Sequence, residues 1–197
     1  MTVEERTREV HPLTLFAPEG ARLLMLGSFP PPRERWRMDF FYPNFQNDMW
    51  RIFGLVFFGD KSHFLTDDGH AFREAELRRF LTERGIAIWD TAMEVSRLQG
   101  NASDKFLEVL RPIDLRQTLA MLPSCRAIAV TGQKALDTLL TLVAAPSTPK
   151  TGEWTEAVLD DRHFRLYRMP SSSRAYPLPV EKKAEKYRRM FEEMGLK

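Results

Sequence analysis

The sequence predicts an α/β fold, a three-layer α/β/α sandwich with a mostly parallel central sheet. Three observations carry that expectation. Short apolar runs of strand length alternate with segments whose apolar residues recur at helical spacing. Glycines stand where several of these segments end. The 197 residues, 43% of them hydrophobic, suffice for one sizeable core and fall short of two. The chain is therefore read as one domain, 1–197, with no internal repeat, low-complexity tract or long linker.

The first element is the apolar run Arg22 to Leu26, a buried strand that ends at Gly27 and enters the stiff loop Phe29-Pro30-Pro31-Pro32. Residues 48–57 read as a helix. Leu77, Phe80 and Leu81 share one face of a charged helix closed by Gly85, and Ile86 to Trp89 follows as a strand. The alternation then repeats. Leu115, Leu119 and Leu122 lie on a helical face, Ala127 to Val130 is a strand, and Leu136, Leu139, Leu140 and Val143 lie on another helix, with Thr131-Gly132 as the turn between. Glu156 to Leu159 and His163 to Tyr167 flank Asp160-Asp161 and form a hairpin or two neighbouring strands. The last helix begins near Val180 and places Ala184, Tyr187, Phe191 and Met194 on one face. In such sheets ligands bind beyond the carboxyl ends of the strands, so the loops beginning at Gly27, Asp90, Thr131 and Met169 are the ones to examine.

Composition excludes more than it assigns. No apolar run reaches the length of a membrane span, and residues 1–20 lack the apolar centre of a signal peptide, so a cytosolic protein is expected. The single cysteine, Cys125, makes no intrachain disulfide and alone holds neither an iron–sulfur cluster nor a structural zinc. His11, His63, His70 and His163 lack metal-ligand spacing and are given structural or surface roles; no metal and no cofactor are expected. The formal charge of +2 supports nucleic-acid binding only weakly, because many soluble proteins share it. Its distribution says more. Arg33, Arg35 and Arg37 cluster in one loop, and Lys182, Lys183, Lys186, Arg188 and Arg189 crowd the last helix, where a solvated face explains them about as well as phosphate contact.

Two segments carry the chemistry. Gly27-Ser28-Phe29-Pro30, followed by Phe41-Tyr42-Pro43-Asn44-Phe45-Gln46-Asn47-Asp48-Met49-Trp50, puts a glycine loop, stacking aromatics and carboxamides after the first strand. Plainer roles exist for each part: a tight turn at Gly27, a packed aromatic at Tyr42, a helix cap at Asn47. The second segment, Met169-Pro170-Ser171-Ser172-Ser173-Arg174-Ala175-Tyr176, offers hydroxyls and backbone N–H groups that hold phosphates, or a turn capped by serines.

Together and in this order, the segments resemble the uracil-DNA glycosylase superfamily over nearly the whole chain, most closely its hypoxanthine-type and mismatch-specific branches. The family's Gly-x-x-Pro motif and its His/Asn-Pro-x-Asn-x-Phe-Trp-like stretch match Gly27 to Pro30 and Tyr42 to Trp50, and its Pro-Ser-rich insertion loop matches Pro170 to Ser173. Between them, Gly85-Ile86-Ala87-Ile88-Trp89-Asp90 is similar to the strand end of the hypoxanthine-type branch, Asn101-Ala102-Ser103-Asp104 to its small polar segment, and Gly132-Gln133-Lys134-Ala135 to the family's Gly-Lys/Gln turn. The resemblance implies damaged DNA as partner, a monomer, and hydrolysis of the N-glycosidic bond of a flipped base.

It also implies the site residues. Phe29 stands where many members carry a catalytic Asp or Asn, and the family pattern then gives catalysis to Asn47, which positions water or bonds the base edge. On the chemistry such a reaction needs, Tyr42, with Phe29 or Phe41, is expected to stack on the base and Gly27, Ser28 and Asn44 to line the pocket; Asp90 is a pocket candidate or a cap for the following turn. Ser171, Ser172, Ser173 and Arg174 form the DNA-binding insertion loop, in which Arg174 and Ala175 occupy the wedge positions and Met169 precedes Pro170 where classical uracil enzymes have a histidine. Phe29 and that missing histidine motivate a second expectation, a non-catalytic DNA-binding or damage-sensing module. A third, an enzyme of free nucleotides or sugar phosphates, follows from strand-end glycine loops alone.

Overall fold

The structure, a computed structural model, describes residues 6–98 and 103–197. The elements in chain order are β1 (Arg6–Val10), β2 (Leu23–Gly27), α1 (Met49–Phe58), α2 (Glu74–Arg84), β3 (Ile86–Asp90), β4 (Ala92–Leu98), β5 (Leu107–Pro112), α3 (Leu115–Ala120), β6 (Ala127–Thr131), α4 (Gln133–Leu140), β7 (Trp154–Leu159), β8 (Arg162–Met169) and α5 (Val180–Glu193).

The main sheet has the order β3-β2-β6-β8-β7. Its first four strands run parallel, and β7 joins β8 as an antiparallel hairpin turning at Asp160, whose φ of 52° is left-handed. Every residue of β2, β3 and β6 is buried whichever way it points, as their unbroken apolar runs require. The edge strand β7 instead alternates, with Thr155, Ala157 and Leu159 inward and Trp154 and Glu156 exposed. Helix α1 packs on α5 through Phe53 and Phe57, whose rings lie 5.3 and 4.9 Å from that of Phe191. Arg188 of α5 donates to the Leu55 and Val56 carbonyls at the end of α1. The expected apolar face of α5 is buried at Ala184, Tyr187 and Phe191 and continues through Met194. Leu122 and Val143, read as helical, follow the ends of α3 and α4 but still pack on the core. Among the described residues no helix is long and apolar enough to cross a membrane.

One layer departs from the expected mostly parallel sheet. A second sheet, β1-β4-β5, is antiparallel throughout. Its strands lack a continuous apolar side. One face carries ion pairs from Glu94 to Arg8 and Arg111, while a small cluster of Ala92, Val95 and Leu107 packs against Phe29 and Val109. Buried Arg97 bonds Glu9 at 2.8 Å and the Pro30 carbonyl at 3.0 Å, tying the sheet to the loop after β2. The chain passes from one sheet to the other at Thr91, whose N–H bonds the Gly27 carbonyl at 2.8 Å. Asp90 therefore stands at the junction of the two sheets.

Candidate active site

A cleft of about 600 Å³ opens at the carboxyl ends of the parallel strands. All four loops singled out from the sequence reach it: Ser28 to Pro31 with Phe41 to Asn44, Gln46 and Asn47, then Asp90, Thr131 to Lys134, and Ser171 to Pro177. Ser103 and Asp104 add to its lining, whereas Asn101 and Ala102 lie outside the described residues.

The floor is built on Gly27. A Cβ there would lie 2.4 Å from Asp90 Oδ1 and 3.3 Å from Tyr42 Oη, so only glycine lets these groups close over the strand end. Asp90 Oδ2 bonds His11 Nε2 at 2.8 Å. His11 Nδ1 lies 3.2 Å from the Leu13 amide and 3.3 Å from the Leu13 carbonyl, and because a carboxylate only accepts, Nε2 is the donor to Asp90. The imidazole side chain is wholly buried against Trp89 and Phe29. The sequence alone gives His11 only a structural or surface role. No local signal links a lone histidine to a carboxylate 79 positions away.

Tyr42 holds a left-handed φ of 50°, rare for a bulky residue, in the wall beside the floor. Thr131 Oγ1 donates to the Leu26 carbonyl, so its one hydroxyl proton is committed and Tyr42 Oη donates to it at 2.7 Å. Burial, then the nearby Asp90 charge, pushes the Tyr42 phenol far upward, and it remains a neutral donor. Its ring stands edge-on to Trp50 and lines the cleft. The other expected stacking residues are more committed. Phe41 is 3% exposed and packs on Phe40 and Trp89, while Phe29 packs against the second sheet.

The carboxamides shape the backbone. Asn44 Oδ1 accepts from the Gln46 N–H and Asn47 Oδ1 from the Met49 N–H, each at 3.0 Å. Asn47 thus caps α1, a task that the formal cap residue Asp48 leaves open while its carboxylate takes Arg174 Nε at 3.1 Å and Arg51 Nη1 at 3.4 Å. Across the cleft, Ser28 Oγ donates to Asp104 Oδ1 at 2.8 Å. Asp104 is exposed at the cleft, where partial desolvation raises its carboxyl; the Ser28 bond opposes that rise and the Asp90 charge adds to it. Asp104 is the second functional candidate that residue spacing did not single out.

The insertion loop is fastened on two sides. Tyr187 Oη donates to the Pro170 carbonyl at 2.8 Å and buried Lys183 Nζ to the Ser173 carbonyl at 2.7 Å. The Ser172 carbonyl accepts the Asp48 N–H, and Arg174 reaches the same aspartate. Ser171 and Ser173 hydroxyls accept backbone N–H groups two residues on, the serine-turn geometry, and Ser172 is buried. Gly132, at φ 121°, packs against Ser171. Of the basic groups, Arg35 lines both this cleft and an adjoining one of about 540 Å³, which Arg37 and His70 also line. The cations of α5 instead bond within the molecule, Lys182 to Glu185, Lys186 to the Thr151 carbonyl and Arg189 to Glu193. Among the described residues no three His, Cys, Asp or Glu side chains group as a metal site.

No protein-family model matches the chain, and no curated protein matches it. Among solved structures it is similar to the solution NMR structure of a protein from Methanosarcina acetivorans, provisionally named a uracil DNA glycosylase, with a TM-score of 0.59 and 21% identity. The match covers 94% of this chain and 99% of that one. At that identity the likeness establishes architecture alone: this chain has the mixed α/β fold of that protein.

Proposed function

We propose that this chain is a monofunctional DNA glycosylase, in a uracil-DNA glycosylase-like fold nearest the hypoxanthine-type and mismatch-specific branches, that flips a deaminated base of the uracil or hypoxanthine class and hydrolyses its N-glycosidic bond. The observation that carries this reading is the meeting of two distant segments on one cleft, Tyr42 and Asn47 with Ser171 to Arg174, joined where the Ser172 carbonyl accepts the Asp48 N–H. The fold likeness supports it.

In this reading the Tyr42 ring stacks on the extruded base. Asn47, whose oxygen is held by the Met49 N–H, turns its Nδ2 donors to the base edge as negative charge builds there. Asp104, its carboxyl raised above the usual range and bonded by Ser28, accepts the proton of the attacking water. The water oxygen bonds the anomeric carbon, the C–N bond breaks, and its electron pair leaves with the base. Backbone N–H groups of the insertion loop and Arg35 hold phosphate, and Arg174 exchanges Asp48 for the vacated stack.

Single-turnover alkali cleavage of oligonucleotides carrying uracil, hypoxanthine, xanthine or a T:G pair tests this. Wild type should cleave at least one. Asn47→Ala and Asp104→Asn should each lose on the order of 100-fold in rate with little change in DNA affinity; wild-type activity in both variants would sink the assignment. Phe29, packed into the second sheet where a water-polarising residue is common in the superfamily the chain resembles, favours one alternative, a non-catalytic DNA-binding module. That alternative predicts salt-sensitive binding without cleavage of any of the four.

A further inference from the structure

We infer that His11 is a positioning residue that fixes the hydrogen-bonding sign of the cleft floor, so that Asp90 selects bases presenting an N–H at the edge it meets. The inference rests on the glycosylase reading above. His11 is buried among aromatic rings with Nδ1 held against the Leu13 backbone, and its Nε2–H donates to Asp90 Oδ2. One carboxylate oxygen is thereby committed. The other, Oδ1, stands over Gly27, and among the described residues it has no protein donor, while Asp90 lines the cleft. A carboxylate is an acceptor only, so the floor offers a lone pair and no proton. It favours N3–H of uracil or N1–H of hypoxanthine and opposes a carbonyl or a ring lone pair at that place.

The role of His11 follows from what an amide at position 90 would do. An amide has one accepting and one donating end, and its neighbour decides which end faces the cleft. With Nε2–H in place, the amide oxygen turns to His11 and the NH₂ to the base, reversing the sign of the floor. Without His11, neither a carboxylate nor an amide is held in one orientation.

The experiment compares single-turnover rates on oligonucleotides carrying uracil, N3-methyluracil, hypoxanthine or N1-methylhypoxanthine. Wild type should prefer the N–H member of its substrate pair by about tenfold or more, the scale of a hydrogen bond to a charged group. Asp and Asn have nearly the same volume, so the bulk of the methyl group cancels when their selectivities are divided. Asp90→Asn and His11→Phe should each lower that selectivity by about tenfold, whereas His11→Gln, whose amide nitrogen reaches the place of Nε2, should retain it. Thermal unfolding identifies any variant that does not fold; if His11→Phe is one, the Asp90→Asn ratio decides. Unchanged selectivity in folded His11→Phe or in Asp90→Asn, or equal loss in His11→Phe and His11→Gln, overturns the inference and leaves the glycosylase standing. No cleavage of any oligonucleotide by wild type overturns both.

Discussion

Gly27 supports several side chains at once. Its missing Cβ admits Asp90 Oδ1 and Tyr42 Oη to the strand end, and through Asp90 it sets the place of His11. Gly27→Ala should therefore drive the Asp90 carboxylate off the floor. The expected cost is about 1–3 kcal/mol of stability, the range for an overpacked core site, together with a loss of cleavage larger than the shift in melting temperature accounts for; thermal melts beside single-turnover rates measure the two. Gly27, Asn47 and Asp90 stand at a strand end or a helix start, where local rules mark them, whereas Tyr42 draws notice through the segment that carries the resemblance. His11 cannot be read in this way, since its partner Asp90 is 79 positions away; Asp104 enters only as the end of a polar segment that the resemblance marks, its partner Ser28 being 76 positions away. Asn47 shows that plain and functional readings need not compete: its oxygen caps a helix while its residue lines the cleft.

At the level of elements, legibility followed apolarity. Strands β2, β3 and β6 announce themselves because both faces are buried, and the hairpin of β7 and β8 because a turn pair divides two alternating runs. The second sheet left no such trace. Arg6–Val10 and Leu107–Pro112 mix charged and apolar residues, and their pairing depends on ion pairs and on a cluster completed by Phe29 from another loop. Helix α5 owes its basic residues to a similar long-range task, since Lys183 and Arg188 hold the insertion loop and the end of α1. Tyr187→Phe tests that fastening with minimal change of shape. It should cost about 1 kcal/mol in denaturant unfolding and speed amide exchange in residues 171–177, leaving the main sheet protected.

Over the whole molecule the charge is nearly balanced, and what distinguishes its cations is whether they are already engaged. Arg35 faces the cleft and its neighbouring groove, while Lys182 and Arg189 bond acidic residues on their own helix. If DNA crosses the cleft, Arg35→Ala should reduce the salt dependence of binding by roughly 0.9 in log–log slope, and Lys182→Ala with Arg189→Ala should leave it unchanged; titrations over a range of salt concentrations read both. The insertion loop has a temporal consequence as well. Its fastenings come from Tyr187 and Lys183, downstream of everything else that lines the cleft. A nascent chain still threaded through the ribosome at that stage holds the sheet and both carboxylates yet lacks the groups that fasten the insertion loop, so the cleft is completed with the last helix to be synthesised among those described.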